Sequence, residues 1–174
     1  MINKREILIE WGDCDPGGIV YYPRYFEYCD ACTNALFAKA GFPKYEMVRN
    51  YDIAGIPIVE SSARFFIPSQ FGDVVTIESS IAEWGRSSFT VQHRIFKGPA
   101  NTADGSAELA AEITEKRVWA KQIPNAKDEA AKSADGSPAS AARPRRREET
   151  LAPTSPIRYK GEPIPAAVKQ KLSG

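Results

Sequence analysis

Two carboxylates and two glycines, Asp13, Asp15, Gly17 and Gly18, stand within six residues of one another in W-G-D-C-D-P-G-G-I-V-Y-Y-P-R-Y-F-E-Y-C-D, residues 11–30. The aromatic run that follows reads as the start of a helix. A helix N-terminus carries unpaired backbone N–H donors and a partial positive charge, so it stabilises carboxylates and developing oxyanions alike. Gly17 and Gly18 let the chain turn tightly and keep side chains away from anything docked there. The pattern can therefore set an acid beside an oxyanion-binding place. An acid–glycine loop ahead of a helix is also the ordinary pattern of a turn and an N-cap, and spacing alone leaves both readings open.

Other chemistries fit less well. No G-K-[ST] follows the glycines, which removes the nucleotide-loop reading. Asp13 and Asp15 begin like a calcium loop, but the later oxygen ligands and the closing glutamate are missing. Cys29-x-x-Cys32 is the one paired cysteine spacing, and with a single histidine in the chain it reads as small helix-packing residues rather than a zinc or redox site. That histidine, His93, shares a strand face with Phe89, Val91 and Ile95 and reads as a satisfied histidine in a strand. With no G-x-S-x-G, a hydrolase triad is unsupported. Neither a metal nor a cofactor is expected.

The elements that must position the loop follow from periodicity. Residues 4–11 alternate, with Ile7, Ile9 and Trp11 on one side and Glu6, Leu8 and Glu10 on the other, as in a half-buried strand. Residues 25–40 hold no Pro or Gly and end at Gly41, a natural residue just past a helix. Phe26, Cys29, Thr33, Leu36, Phe37 and Ala40 give that helix a wide apolar side, and Pro23 suits its first turn. A second short helix is expected over 43–51. From residue 56 the period changes to two, giving strands at 56–67, 73–84, 87–97 and 107–120, with turns at 84–87 and 97–106. The expected order is strand, long helix, then four strands in meander. A helix so broadly apolar needs a sheet curled around it, and the sheet's free edges favour dimerisation.

At 174 residues the chain is one domain with an appendage. No apolar run reaches the roughly 20 residues of a membrane helix, and a signal peptide is not expected, since the first residues run into a strand with no apolar signal region. Three cysteines fit a reducing cytoplasm better than a disulfide framework. The formal charge of +1 hides a division: residues 1–120 hold 12 Lys+Arg against 16 Asp+Glu, and residues 121–174 hold 11 against 6. The expected organisation is a folded unit over 1–122, a low-complexity disordered linker over 123–152, and a C-terminal segment, 153–174, that can form a small docking helix over 165–172. Arg145–Arg147 lie beside Glu148 and Glu149, a solvated linker pattern, so neither nucleic acid nor membrane is an expected partner.

The stretch G-D-C-D-P-G-G-I-V-Y-Y-P-R-Y-F-E-Y-C-D resembles the loop-helix signature of the 4-hydroxybenzoyl-CoA thioesterases, within the hotdog-fold acyl-CoA thioesterases. The similarity continues through G-I-P-I-V at 55–59, F-G-D-V-V-T-I-E at 71–78 and E-W-G-R-S-S-F at 83–89, covering roughly residues 3–120. It implies an α+β hotdog fold, a curved five-stranded antiparallel sheet wrapped around one long helix, with active sites at the interface of a homodimer or homotetramer. It also implies that Asp15 is the catalytic carboxylate, as nucleophile or general base, that the Tyr22 backbone N–H polarises a thioester carbonyl, and that Asp30 meets a ring hydroxyl of an acyl-CoA substrate. Gly18 would line the substrate's approach. Glu60 is a second carboxylate with access to the site, assigned to substrate rather than chemistry.

The chain departs from the family after Trp84, where Arg86 is the lone basic residue for CoA phosphates; the basic tail could supply further charge. Two other functions compete. One is a hotdog thioesterase for short-chain or other acyl-CoA, against which Pro16 and Tyr22 count. The other is a non-catalytic acyl-CoA-binding module that returns its ligand intact. A hotdog dehydratase lacks its histidine beside the helix.

Overall fold

The computed structural model describes residues 1–98, 107–123 and 158–174. The chain begins with β1 (Ile2–Leu8), makes a 3-10 turn at Trp11–Asp13, and enters the long helix α1 (Pro23–Lys39) and the short helix α2 (Lys44–Tyr51). Four long strands follow, the first of them shorter than its pattern: β2 (Ile58–Phe65), β3 (Val74–Trp84), β4 (Ser88–Lys97) and β5 (Leu109–Val118). After Trp119 come β6 (Ala120–Ile123), β7 (Arg158–Gly161) and α3 (Ala166–Ser173). The turn expected at 97–106 and the linker at 123–152 lie outside the described residues, apart from residues 97, 98 and 123. Among the described residues no helix is long and apolar enough to cross a membrane.

The main sheet is antiparallel in the order β1-β3-β4-β5-β2. This corrects the expected meander. Only β3, β4 and β5 are joined as successive neighbours; β2 pairs with β5 at one edge and β1 with β3 at the other. Period-two patterning marks strands but carries no partner information, so the crossing from β2 to β3 was invisible in it. The edge position leaves β2 exposed along nearly its whole length, Ala63 being the half-buried exception.

Alternation did place the core. Val75 and Ile77 on β3, Phe89, Val91 and Ile95 on β4, and Ala111 and Ile113 on β5 are buried against α1, which contributes Tyr25, Cys29, Cys32, Thr33, Leu36 and Phe37. Two expected core residues lie elsewhere. β1 ends at Leu8 and the 3-10 turn swings Trp11 outward to 78% exposure, against the edge of Phe71. Phe26 is only half-buried, its expected place being taken by Tyr25 and Cys32.

The buried apolar side chains form two clusters along α1. Tyr25, Cys29 and Cys32 pack with Ile9, Val20, Val75, Ile77 and Ile95 toward its start. Leu36, Phe37 and Ala40 pack with Phe89, Val91 and Trp119 toward its end, and there Val168 and Leu172 of α3 and Met47 of α2 complete the packing. α3 is tied down by backbone and side chains: Ile164 N–H donates to the Arg86 carbonyl, Lys169 Nζ to the Gly85 carbonyl, and Trp84 Nε1 to Ser173 Oγ.

Candidate active site

The loop between β1 and α1 folds back on itself. Asp15 N–H donates to the Ile19 carbonyl at 2.9 Å, Tyr21 N–H to the Asp13 carbonyl at 2.8 Å, and Gly18 N–H to the Asp15 carbonyl at 2.9 Å. The turn needs a left-handed residue at Gly18 (φ 80°), where a side chain is disfavoured. Asp15 is half-buried, and its Oδ1 accepts the Gly17 N–H at 2.8 Å. Its neighbour Asp13 works as a brace: Oδ2 accepts the Glu10 N–H at 2.9 Å, and Oδ1 lies 3.6 Å from Arg24 Nε. Of the two acids, Asp13 thus serves the shape of the loop, and among the described residues Asp15 Oδ2 has no hydrogen-bond partner.

Tyr22 caps α1 and Pro23 occupies its first position. Proline has no N–H, so the Tyr22 N–H is the donor at the head of the helix, and among the described residues it has no acceptor. Tyr22 lines a cleft of about 280 Å³ with Ile19, Val20, Tyr25, Phe65, Phe66, Ile67, Pro68 and Ser69. Ile19, on the cleft wall, is the residue that Asp15 pairs with through its backbone. The loop thus contributes Ile19 and Val20 to an apolar, aromatic-walled hollow that also takes in Tyr22 at the head of α1, while Asp15 itself stands in the same loop without bordering the hollow. Such a hollow suits a flat apolar group carrying a carbonyl.

Asp30 stands elsewhere. It lines a second cleft, of about 310 Å³, with Lys44, Ala54, Gly55, Ile56, Pro57, Ile58, Arg117 and Tyr159. The two clefts share no residue and sit at opposite ends of β2, Phe65 bordering one and Ile58 the other. Asp30 is not free in its cleft: Oδ1 accepts Arg117 Nη2 at 2.8 Å and Oδ2 accepts Asn34 Nδ2 at 3.1 Å. Glu60 is exposed on β2, opposite Lys116 of β5 at a bulge, and borders neither cleft. Arg86 is exposed at the β3–β4 turn. One chain therefore holds Asp15 and Gly18 against each other in the loop that leads to Tyr22. Tyr22 borders the first cleft, Asp15 and Gly18 border neither, and Asp30, Glu60 and Arg86 lie apart from them.

Sequence reading missed the residues behind Asp30. Glu115 and Arg117 are buried on β5, and Glu115 Oε2 accepts Arg117 Nε at 2.9 Å, Arg117 Nη2 at 2.7 Å and Thr33 Oγ1 at 3.2 Å. His93 is wholly buried, as its strand face suggested; its Nε2 lies 3.4 Å from the same oxygen and its Nδ1 2.8 Å from Ser79 Oγ. Burial by itself pushes the Glu115 carboxyl up; the His93 hydrogen bond and the charge and hydrogen bonds of Arg117 outweigh it and hold the group below its ordinary value. The signal was available, because residues 111, 113, 115 and 117 share one parity and two of them are charged. Burial also pushes the Cys32 thiol up to about 11 and raises that of Cys29 further, so both remain protonated packing groups.

The family described as the thioesterase-like superfamily matches residues 9–172. Over 113 residues the chain is 40% identical to 4-hydroxybenzoyl-CoA thioesterase of Pseudomonas sp. (strain CBS-3), covering 64% of this chain and 78% of that protein. It is 27% identical over 88 residues to a 1,4-dihydroxy-2-naphthoyl-CoA hydrolase of Synechococcus elongatus, covering 51% of this chain and 65% of the relative. The crystal structure of the Pseudomonas enzyme superposes with a TM-score of 0.71 at 29% identity, over 98% of both chains. An aspartate-to-asparagine mutant of 4-hydroxybenzoyl-CoA thioesterase, complexed with 4-hydroxybenzoyl-CoA, superposes equally well, with a TM-score of 0.71 at 28% identity over 98% of both chains. A gentisyl-coenzyme A thioesterase superposes with a TM-score of 0.65 at 26% identity, over 99% of this chain and all of that one.

Proposed function

From the premise that the chain belongs to the thioesterase-like superfamily, has the hotdog fold of the 4-hydroxybenzoyl-CoA thioesterases and is a thioester hydrolase, we propose that it hydrolyses an aromatic, 4-hydroxybenzoyl-CoA-like thioester to the free acid and CoA. The observation that carries this reading is Tyr22, whose N–H at the head of α1 has no acceptor among the described residues and which lines an aromatic-walled cleft together with Ile19 and Val20 of the Asp15 loop. The acyl ring would lie against Tyr25, Phe65 and Phe66, with its carbonyl oxygen at the Tyr22 N–H. Negative charge that develops on that oxygen is then met by a fixed backbone donor, worth about 2.7–4 kcal/mol at comparable acyl-transfer sites.

Asp15 supplies the other half. As nucleophile, its carboxylate adds to the carbonyl carbon, the C–S bond breaks to release CoA thiolate, and water cleaves the resulting anhydride. As general base, it takes a proton from the water that adds directly. The thiolate is a good leaving group in both cases, so one carboxylate with an oxyanion donor suffices. A 4-hydroxybenzoyl-CoA thioesterase carrying an aspartate-to-asparagine change is known in complex with 4-hydroxybenzoyl-CoA, which supports a reading in which an aspartate does the chemistry.

The resting place of Asp30 gives the reading its quaternary form. β2 is an edge strand with Ile58, Val59, Phe65 and Phe66 exposed beside it, a surface suited to a second copy. Two copies joined antiparallel through β2 would set the Phe65 end of one against the Ile58 end of the other. The cleft of Tyr22 in one protomer, with the Asp15 loop along its wall, then meets the cleft of Asp30 in its partner, and a ring hydroxyl would reach that carboxylate across the two-fold. Gly18 leaves the entrance open, Glu60 lies along the joined edge, and Arg86 meets a CoA phosphate.

Thiol release from 4-hydroxybenzoyl-, benzoyl- and aliphatic CoA esters tests the substrate class; faster turnover of the aliphatic esters would overturn the aromatic assignment. Mixing Asp15→Asn protomers with Asp30→Ala protomers tests the shared site. A two-fold composite site regains preference for the hydroxylated ester in the mixture, whereas a site built within one chain does not.

A further inference from the structure

A polar layer separates the two apolar clusters along α1, and its far end reaches a cleft. Thr33 faces it from the helix, Ser79 from β3, His93 from β4, and Glu115 and Arg117 from β5; all five are buried. Buried ion pairs are a poor source of stability, since apolar side chains of like volume do as well or better. Packing does not explain the layer. What it accomplishes is to immobilise one guanidinium. Arg117 donates through Nε and Nη2 to Glu115, through Nη1 to the Ile56 carbonyl at 3.2 Å, and through Nη2 to Asp30 at 2.8 Å.

Asp30 itself is 46% exposed. A helix-surface carboxylate with that freedom samples several rotamers, and a ligand hydrogen bond to it must first order it. Here each oxygen is held from the protein side, Oδ1 by Arg117 and Oδ2 by Asn34, which also donates to the Asp30 carbonyl at 2.9 Å. Both oxygens keep a second acceptor direction, and those directions are fixed before anything arrives. The guanidinium can do this because its donors form a rigid planar fork; a lysine in its place offers one point charge on a flexible stem.

We propose that Arg117 is a positioning residue for substrate selection: clamped from behind by Glu115 and the Ile56 carbonyl, it aims the Asp30 carboxylate into the second cleft and so sets how strongly the enzyme prefers an acyl ring bearing a hydroxyl over a plain ring. The inference rests on the reading that Asp30 receives that hydroxyl. It adds a residue that, though it borders the same cleft, acts on the ring hydroxyl through Asp30.

The test compares 4-hydroxybenzoyl-CoA with benzoyl-CoA for Arg117→Lys, for the paired change Glu115→Gln with Arg117→Met, and for Asp30→Ala. The paired change leaves no buried charge unpartnered and reads the same ratio should Arg117→Lys fold poorly. In each variant the ratio of kcat/KM for the two esters is expected to fall about tenfold or more, chiefly through KM of the hydroxylated ester. Adding Asp30→Ala to Arg117→Lys is expected to lower the ratio no further, as for two residues acting through one contact. If Asp30→Ala lowers the ratio but the Arg117 variants depress both esters by one common factor, Arg117 is merely structural and the proposal is overturned. If Asp30→Ala leaves the ratio untouched, the assignment of Asp30 itself is wrong, and the role of Arg117 falls with it for that separate reason.

Discussion

Around the first cleft the polar partners are main-chain groups: the Tyr22 N–H, the carbonyl of Ile19 against Asp15, and the Gly17 N–H on the Asp15 carboxylate. Around the second they are side chains backed by other side chains, from Asp30 through Arg117 to Glu115, Thr33 and His93. The first arrangement is local in sequence, drawn from one run of about a dozen residues. The second joins α1 to β4 and β5 across more than 80 residues. A site for chemistry common to a family can rest on backbone donors that any side chain leaves in place, whereas recognition of one substituent needs a particular side chain held still.

That contrast can be broken by experiment. Asp15→Asn should lower kcat about 10²–10⁴-fold in a thiol-release assay with little change in Tm, because among the described residues its carboxylate carries one local hydrogen bond. A large fall in Tm would show that the loop contributes to folding as much as the buried layer does. Arg117→Ala should do the reverse first: it strands Glu115 as a buried, unpaired charge, at a cost of about 3–5 kcal/mol in chemical denaturation.

The same layer predicts an acid limit. Glu115 binds its proton less readily folded than unfolded, so its contribution is complete above its ordinary value of 4.5 and is lost as pH falls through the lower folded value. The paired change Glu115→Gln with Arg117→Met should flatten the fall of Tm below that pH; an unchanged slope would move the acid sensitivity elsewhere. Asp30→Ala should reduce the preference for the hydroxylated ester by the worth of one charge-assisted hydrogen bond, about 1.5–3 kcal/mol. The smallest effect is expected at the loop's hinge, where Gly18→Ala should cost about 1–2 kcal/mol in stability for a side chain in left-handed backbone.

Legibility followed the same division. The Asp15 loop, the head of α1 and the strand faces of β3 and β4 were readable because their determinants lie within one turn or one strand. The order of β2 in the sheet was not, nor was the turning-out of Trp11, since both depend on what lies beside them. Asp30 was readable as an acid on α1, but not as the partner of an arginine 87 residues away.

By itself the sequence determined the local chemistry: an acid, a tight left-handed turn and a helix beginning with proline, whose free N–H groups follow from helix geometry wherever the helix is placed. Only the tertiary structure decided which side chains meet. The strand period says which face a residue takes and nothing of its neighbour, so the meeting of Glu115 and Arg117 with Asp30, and the separation of the two clefts to opposite ends of β2, arise from sheet order alone.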